Sequence, residues 1–330
     1  MRSRLLRLAA AAALVAGVAG FVRSTTVPGH PDQGKPLRWG RPSVTYTVNA
    51  SGFRSVPGCA SAAAAAARVR QSFPAWSSAT RTGQSQPCTD FRFVDGGDTT
   101  RAELGYDPTP GASNVNLVVF RDGLCSAITS DPDCQQADLG ACIARHDCWS
   151  HDATLGAGGT LALTTVTYVP ETGELLDADL ELNGWNGDSS APTGWYFTCA
   201  DPPAPTCASP GFGEAGCIDV DVGNTVTHEA GHVLGLDHVC EPSYPAPYDA
   251  CPTVAGPGGP LLPVMAPTAV PGDTDKRQLK PDDVEGVCTI YPAGGGCGCR
   301  SGGGGGLALL GLVLALWRRA RARQRTTAPA

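Results

Sequence analysis

Val222-Gly223-Asn224-Thr225-Val226-Thr227-His228-Glu229-Ala230-Gly231-His232-Val233-Leu234-Gly235-Leu236-Asp237-His238 is the stretch on which the reading of this chain turns. From Val222 to Leu234 the only helix-weakening residues are Gly223 and Gly231, and Asp221 precedes it in the position of a helix N-cap. The pattern predicts a helix over 222–234. Four residues advance such a helix by about 400°, so His228 and His232 share a face, about 40° apart and one turn along the axis. Two imidazoles so placed can bind one tetrahedral ion. Glu229 falls on the flank of the pair, too far round to be a third ligand but near enough to the open coordination position to take a proton from water there. Gly235 supplies the left-handed conformation that ends a helix and reverses the chain, and that turn can bring His238 back to the metal. The set His228, His232 and His238 reads as a zinc site with its fourth position open. A structural site would be closed by four protein ligands, usually including cysteine.

Working outward, Val44 to Val48, Phe91 to Val94, Val115 to Phe120 and Leu161 to Tyr168 read as strands, and Cys59 to Gln71 as an alanine-rich helix that Pro74 should end. Phe73 and Trp76 follow it and are available to pack on a sheet. Leu175 to Leu182 alternates apolar residues with Asp177, Asp179 and Glu181, which predicts an edge strand with one wet face, along which a substrate backbone could add. Strands followed by a histidine-bearing helix point to an α+β domain. A second cluster, His146-Asp147-Cys148-Trp149-Ser150-His151-Asp152, offers the residue types of a second metal site, but loop histidines beside a disulfide are usually solvated. Asp95, Asp98, Asp177 and Asp179 could bind structural calcium, although no EF-hand spacing is present.

The ends differ from the body. Arg2, Arg4 and Arg7 precede an apolar run to Val22, which reads as a secretory signal peptide over 1–24, followed by a Pro/Gly-rich linker over 25–40. After Gly294 to Gly306 come an apolar stretch from Leu307 to Trp317 and five closely spaced arginines, which predict a short membrane segment with the body outside the cell. Of 14 cysteines, twelve lie between Cys59 and Cys288, an even number suited to disulfides in an exported chain, with Cys240 and Cys251 as the clearest local pair. The net charge is -7; setting aside ten arginines at the termini leaves 14 basic against 31 acidic residues, or -17 for the body. Such a surface repels phosphate backbones and argues against nucleic acid as a partner.

The full run His228-Glu229-x-x-His232-x-x-Gly235-x-x-His238 resembles the metzincin pattern, and its flanks look most like the matrixin branch. Pro263-Val264-Met265-Ala266-Pro267 resembles the Met-turn beneath the metal, Leu279 to Val287 the closing helix, and Leu37 to Asn49 with Phe73 and Trp76 the opening strand and helix. The resemblance covers about 40–292. It implies a metalloprotease domain over 41–293: a twisted, mostly parallel five-stranded sheet with an antiparallel edge strand, three helices and disulfide-rich loops. It also implies one catalytic zinc on the three histidines, Glu229 as general base, Met265 and Gly235 in structural roles, and a monomer cleaving a protein or peptide substrate laid along the edge strand Leu175 to Asn183. No P-R-C-G-x-P-D latency segment is present, and Ala269 stands where matrixins often carry tyrosine. The tail over 294–330, with Cys297 and Cys299, resembles the C-terminal sorting tag of myxobacterial surface proteins, which implies a cell-surface location. The rival reading is a surface binding or adhesion protein on an inactive scaffold of the same kind.

Overall fold

The five long strands form one sheet, and burial on both faces is confined to its central strands, Asn116–Arg121 and Glu174–Asn183. A computed structural model describes residues 20–53, 59, 61–121, 123–136, 139–151, 160–183, 196–199, 219–256, 259–268 and 272–294. The strands are β1 (Ser43–Asn49), β2 (Arg92–Asp98), β3 (Asn116–Arg121), β4 (Ala162–Val169) and β5 (Glu174–Asn183). Their spatial order is β2-β1-β3-β5-β4, with the two-residue strand Arg38–Trp39 beside the start of β5. Pairing is parallel throughout except between β4 and β5. The protein is therefore a mixed α/β structure with a mostly parallel sheet and an antiparallel strand at one edge.

The helices are α1 (Ala62–Ser72), α2 (Gly140–His146), α3 (Val222–Val233) and α4 (Pro281–Ile290), and a four-residue turn, Pro74–Ser77, follows α1. Ser61 opens α1 by accepting the Ala64 amide, and Asp221 opens α3 by accepting that of Asn224. One sheet face, carrying Val44, Tyr46, Val48, Val118, Phe120, Ala178, Leu180 and Leu182, shares a core with α1, α3 and α4. Phe73 stacks on Tyr46 at 3.9 Å between ring centroids, and Trp76 is fully buried with its indole donating to the Thr227 carbonyl.

Three expectations fail here. Leu175 to Asn183 is not an edge: β5 is flanked by β4 on one side and by β3 and Arg38–Trp39 on the other, and among the described residues the outer strands of the sheet are β4 and β2. The acidic face that read as wet is buried, with Asp177, Asp179 and Glu181 all no more than 2 % exposed. Alternation shows only that the two faces differ, and here the polar face has partners. Asp179 accepts the amides of Gly105 and Leu117, which ties down the chain before β3, and Glu181 accepts from the fully buried Arg121 and from His151. Burial pushes the Glu181 carboxyl up, but His151 and Arg121 outweigh it and hold the group below its ordinary range.

The linker over 25–40 is instead part of the body. Thr25 bridges Pro36, Leu37 and Trp39 are buried, and Arg38–Trp39 joins the sheet. Ordered contacts start before the boundary at 24: Val22–Arg23 pairs antiparallel with Leu236–Asp237, and the Ser24 amide donates to Gly235. Proline and glycine here set turns within packed structure rather than a loose tether. The four aspartates named for calcium do not form one group. Asp95 and Asp98 on β2 are both held by Arg70, while Asp177 and Asp179 lie on β5 with β1 and β3 between.

Five disulfides join described cysteines: Cys59–Cys199, Cys88–Cys288, Cys125–Cys148, Cys134–Cys142 and Cys240–Cys251. The first two close the longest loops, of 140 and 200 residues, and so restrict the unfolded chain most. Cys207, Cys217, Cys297 and Cys299 lie outside the described residues, as do residues 1–19 of the signal expected over 1–24 and the apolar tail. Among the described residues no helix is long and apolar enough to cross a membrane.

Burial and the adjacent Asp179 push the Asp177 carboxyl up to about 7. From about pH 4 to pH 7 the folded chain therefore keeps a proton that the unfolded chain has lost, and this residue's contribution to stability falls as pH rises through that window. Asp177→Asn is expected to gain on the order of 2 kcal/mol over the native chain between pH 4 and pH 8, discounted for solvent screening. Urea midpoints at the two pH values measure this, and an identical pH response in both proteins would refute it.

Candidate metal centre

Helix α3 is buried on nearly every side, so its polar groups must find partners inside the protein. Trp39 donates its indole N–H to the Val233 carbonyl at 2.7 Å, and the Tyr291 hydroxyl donates to the Leu234 carbonyl at 3.0 Å, which satisfies the C-terminal end. At the N-terminal end Arg277 pairs with the buried Asp221 carboxylate at 2.5 Å. Gly235 then takes φ of +86°, and a Cβ there would lie 2.5 Å from the Leu37 carbonyl oxygen. Both the turn and the close approach require glycine. The chain runs on as Leu236–Asp237, paired with Val22–Arg23, and presents His238 to α3.

The three imidazoles converge. The Nε2 atoms of His228, His232 and His238 are 3.2 Å apart in all three pairs. The Nδ1 of His228 donates to the Val264 carbonyl at 2.6 Å, and that of His232 donates to the Leu236 carbonyl at 2.9 Å. A carbonyl can only accept, so both Nδ1 atoms carry the proton and both Nε2 atoms turn lone pairs inward. Facing lone pairs at this distance repel unless a cation sits among them. A tetrahedral ion about 2.0 to 2.1 Å from each nitrogen would space them about 3.3 to 3.4 Å apart, close to what is found. Burial first, and neighbouring positive groups second, hold His228 well below the usual imidazole range, and His238 is pushed down to about 4. The neutral, metal-binding form is thus favoured. The three residues form a group able to hold a metal ion.

Glu229 lies beside them with only 6 % exposure, and burial pushes its carboxyl up. Its Oε2 accepts the Thr164 hydroxyl of β4 at 2.7 Å, so the edge strand passes directly over this carboxylate. Met265 does not join the ligands. It packs against Gly231 from below, where a Cβ would meet its sulfur at 2.2 Å and Trp76 at 2.9 Å. The Met265 turn is itself fixed from α4: the fully buried Asp283 accepts the amides of Val264, Met265 and Lys280. Lys276, also buried, donates to the Ala266 carbonyl, and desolvation pushes its ammonium down to about 8.

Sequence reading overlooked Thr164, Asp283, Lys276 and the reason for Gly231. Asp283 carried the one available signal, an acid in the first turn of a helix that Pro281 starts. Thr164 carried none, because nothing local reveals which residue of a strand faces a helix 65 positions away. The second histidine cluster does not converge on a point. His146 bonds Asp131, His151 bonds Glu181, Asp147 bonds Arg121, and Cys134, the remaining ligand type near His146, is in a disulfide with Cys142. No protein-family model matches the chain, and no curated protein matches it.

Two glycines of similar backbone conformation separate turn strain from site geometry. Gly83 has φ of +80° and open space around its Cβ position, whereas Gly235 meets Leu37. Gly83→Ala is expected to cost about 1 kcal/mol and leave zinc affinity unchanged, while Gly235→Ala moves His238 and weakens zinc binding at least about tenfold. Competition titration with a chromogenic chelator measures both, and equal zinc affinity in the two variants would contradict this placement of His238.

Proposed function

We propose that the chain is a zinc-dependent endopeptidase of the metzincin type, matrixin-like in its catalytic domain. The observation that carries the reading is the triangle of three inward-facing Nε2 atoms at 3.2 Å with the buried Glu229 carboxylate beside it, under a free sheet edge. His228, His232 and His238 would hold zinc, an ion that favours nitrogen ligands in tetrahedral geometry. A bound zinc supplies Lewis acidity, polarising the scissile carbonyl and acidifying the attacking water.

The chain's own residues do the rest. The free edge of β4, Ala162–Val169, binds an extended peptide by backbone hydrogen bonds and so takes the place expected of Leu175 to Asn183. Glu229 takes the proton of the attacking water on its carboxylate and then delivers a proton to the departing amine nitrogen. Its raised pKa suits both halves of this exchange, because a strongly acidic carboxyl would be a poor base. Met265 and Gly231 fix the height of α3, and Gly235 sets the return of His238. The arginine-flanked apolar termini support export and a surface tether, the acid excess of the body supports a protein rather than a nucleic acid partner, and a single chain contains every residue of the site.

The zinc-loaded full chain is expected to cleave casein, to lose this activity on chelation, and to lose at least about 100-fold of it in Glu229→Gln while keeping its zinc. Metal analysis and proteolysis assays on the same samples measure the two effects. Undiminished cleavage by Glu229→Gln would overturn the assignment, and stoichiometric zinc without turnover in the native chain would favour the adhesion scaffold.

A further inference from the structure

We propose that Thr164 is a positioning residue for Glu229: its hydroxyl clamps one carboxylate oxygen and leaves the other to exchange protons with substrate. This rests on the peptidase reading and adds to it a residue from outside the histidine motif. The Thr164 hydroxyl lies 2.7 Å from Glu229 Oε2 and 3.3 Å from the Glu229 carbonyl oxygen. A hydroxyl has one proton, and the shorter contact to the charged oxygen takes it. No hydrogen bond reaches Glu229 Oε1 among the described residues, so the two oxygens are inequivalent: Oε2 is held and Oε1 is offered.

The clamp is stiff for a reason of residue type. A glutamate carboxylate turns about three side-chain torsions, whereas threonine is branched at Cβ and confined in χ1. The Thr164 backbone is fixed in turn by its ladder position opposite Leu180 on β5. The direction of the carboxylate is thereby set by the sheet rather than by its own helix. Thr164 also lies on the strand whose outer edge would receive the peptide, so a backbone docked on β4 and the base that serves its scissile bond share one rigid support. A purely structural role for this side chain would be met equally well by valine, which matches threonine in shape and has a higher affinity for a buried strand face.

Thr164→Val and Thr164→Ser in the zinc-loaded full chain separate the two roles. Thr164→Val is expected to lower kcat about 10- to 100-fold with KM within about twofold of native and zinc content unchanged, while Thr164→Ser restores most of the rate. Should valine disturb the edge strand, Thr164→Ala removes the same hydroxyl without the branch and is expected to show the same loss. A readout independent of turnover is the affinity for a phosphinic peptide, whose acidic oxygens replace the attacking water and meet Glu229. Calorimetry is expected to show it weakened about tenfold or more in Thr164→Val and Thr164→Ala but not in Thr164→Ser. Native-level kcat and phosphinate affinity in Thr164→Val, or an equal loss in Thr164→Ser, would overturn the proposal. Absence of cleavage by the native chain counts against the peptidase reading alone, since the phosphinate series still reports on Thr164.

Discussion

Three imidazole rings crowded onto one point are unstable by themselves, and the structure around them consists largely of devices that prevent their escape. His228 and His232 are each held by a backbone carbonyl at Nδ1, and those carbonyls belong to different segments, Val264 and Leu236. Neither segment is stable alone. Val264 lies in the Met265 turn, which has no ladder and depends on the Asp283 carboxylate of α4. Leu236 lies in a two-residue strand whose partner is Val22–Arg23, from the other end of the chain. The geometry of the centre is thus over-determined from both ends of the sequence. Such a preformed arrangement suits metal binding, because each imidazole left free to rotate would subtract its ordering entropy from the binding free energy.

The sheet answers a different demand. Its helix-facing side is an apolar core of ordinary kind, while its other side holds three acidic residues of β5 and the buried Arg121. Burying a carboxylate without a partner costs several kcal/mol, so each must be compensated locally. Two are served by the amides of Gly105 and Leu117, by Arg121 and by His151. The Asp147 carboxylate at the end of α2 completes the set through Arg121 at 2.5 Å. The cysteine-rich segment from Cys125 to Cys148, closed on itself by its two disulfides, is in this way fastened to the back of the sheet by charge. The residues that looked like a second metal cluster are its fastenings.

What could be read from the sequence was what local spacing encodes. The helix over 222–234, the glycine turn at 235 and the strands around 44–48, 115–120 and 161–168 all follow from periodicity and from Gly and Pro, and the structure contains elements at those places. Strand order is another matter. The alternation in Leu175 to Leu182 is equally compatible with an edge or an interior strand, and the choice between them rests on Arg121, His151 and two distant amides that no window of sequence connects. The Pro/Gly-rich residues 25–40 misled for a related reason: composition reports the preference of the backbone for turns, whereas order there comes from Leu37, Trp39 and the pairing of Val22–Arg23 with residues more than 200 positions away. At the candidate metal centre, the three converging histidines lay in the motif, but their support lay in Val264, Asp283 and Thr164, each fixed by tertiary contact.

The same distinction shows where variation can be tolerated. The ligands, the Met265 turn and α4 form one connected polar and packed unit, in which moving any member displaces the Val264 carbonyl and with it His228. The edge strand β4 is joined to that unit by the Thr164 hydroxyl and by the packing of Ala162 and Val166 on the shared core, and it is paired in the sheet with β5 alone. Changes in the outward residues of β4, or in the Cys240–Cys251 loop that follows His238, therefore alter what can lie along the edge without disturbing the nitrogen triangle. Thr164 is the exception, since it belongs to the variable strand by position and to the fixed centre by its hydrogen bond. On the peptidase reading, recognition and chemistry meet at that residue, and the sheet's register rather than the histidine motif decides how they are aligned.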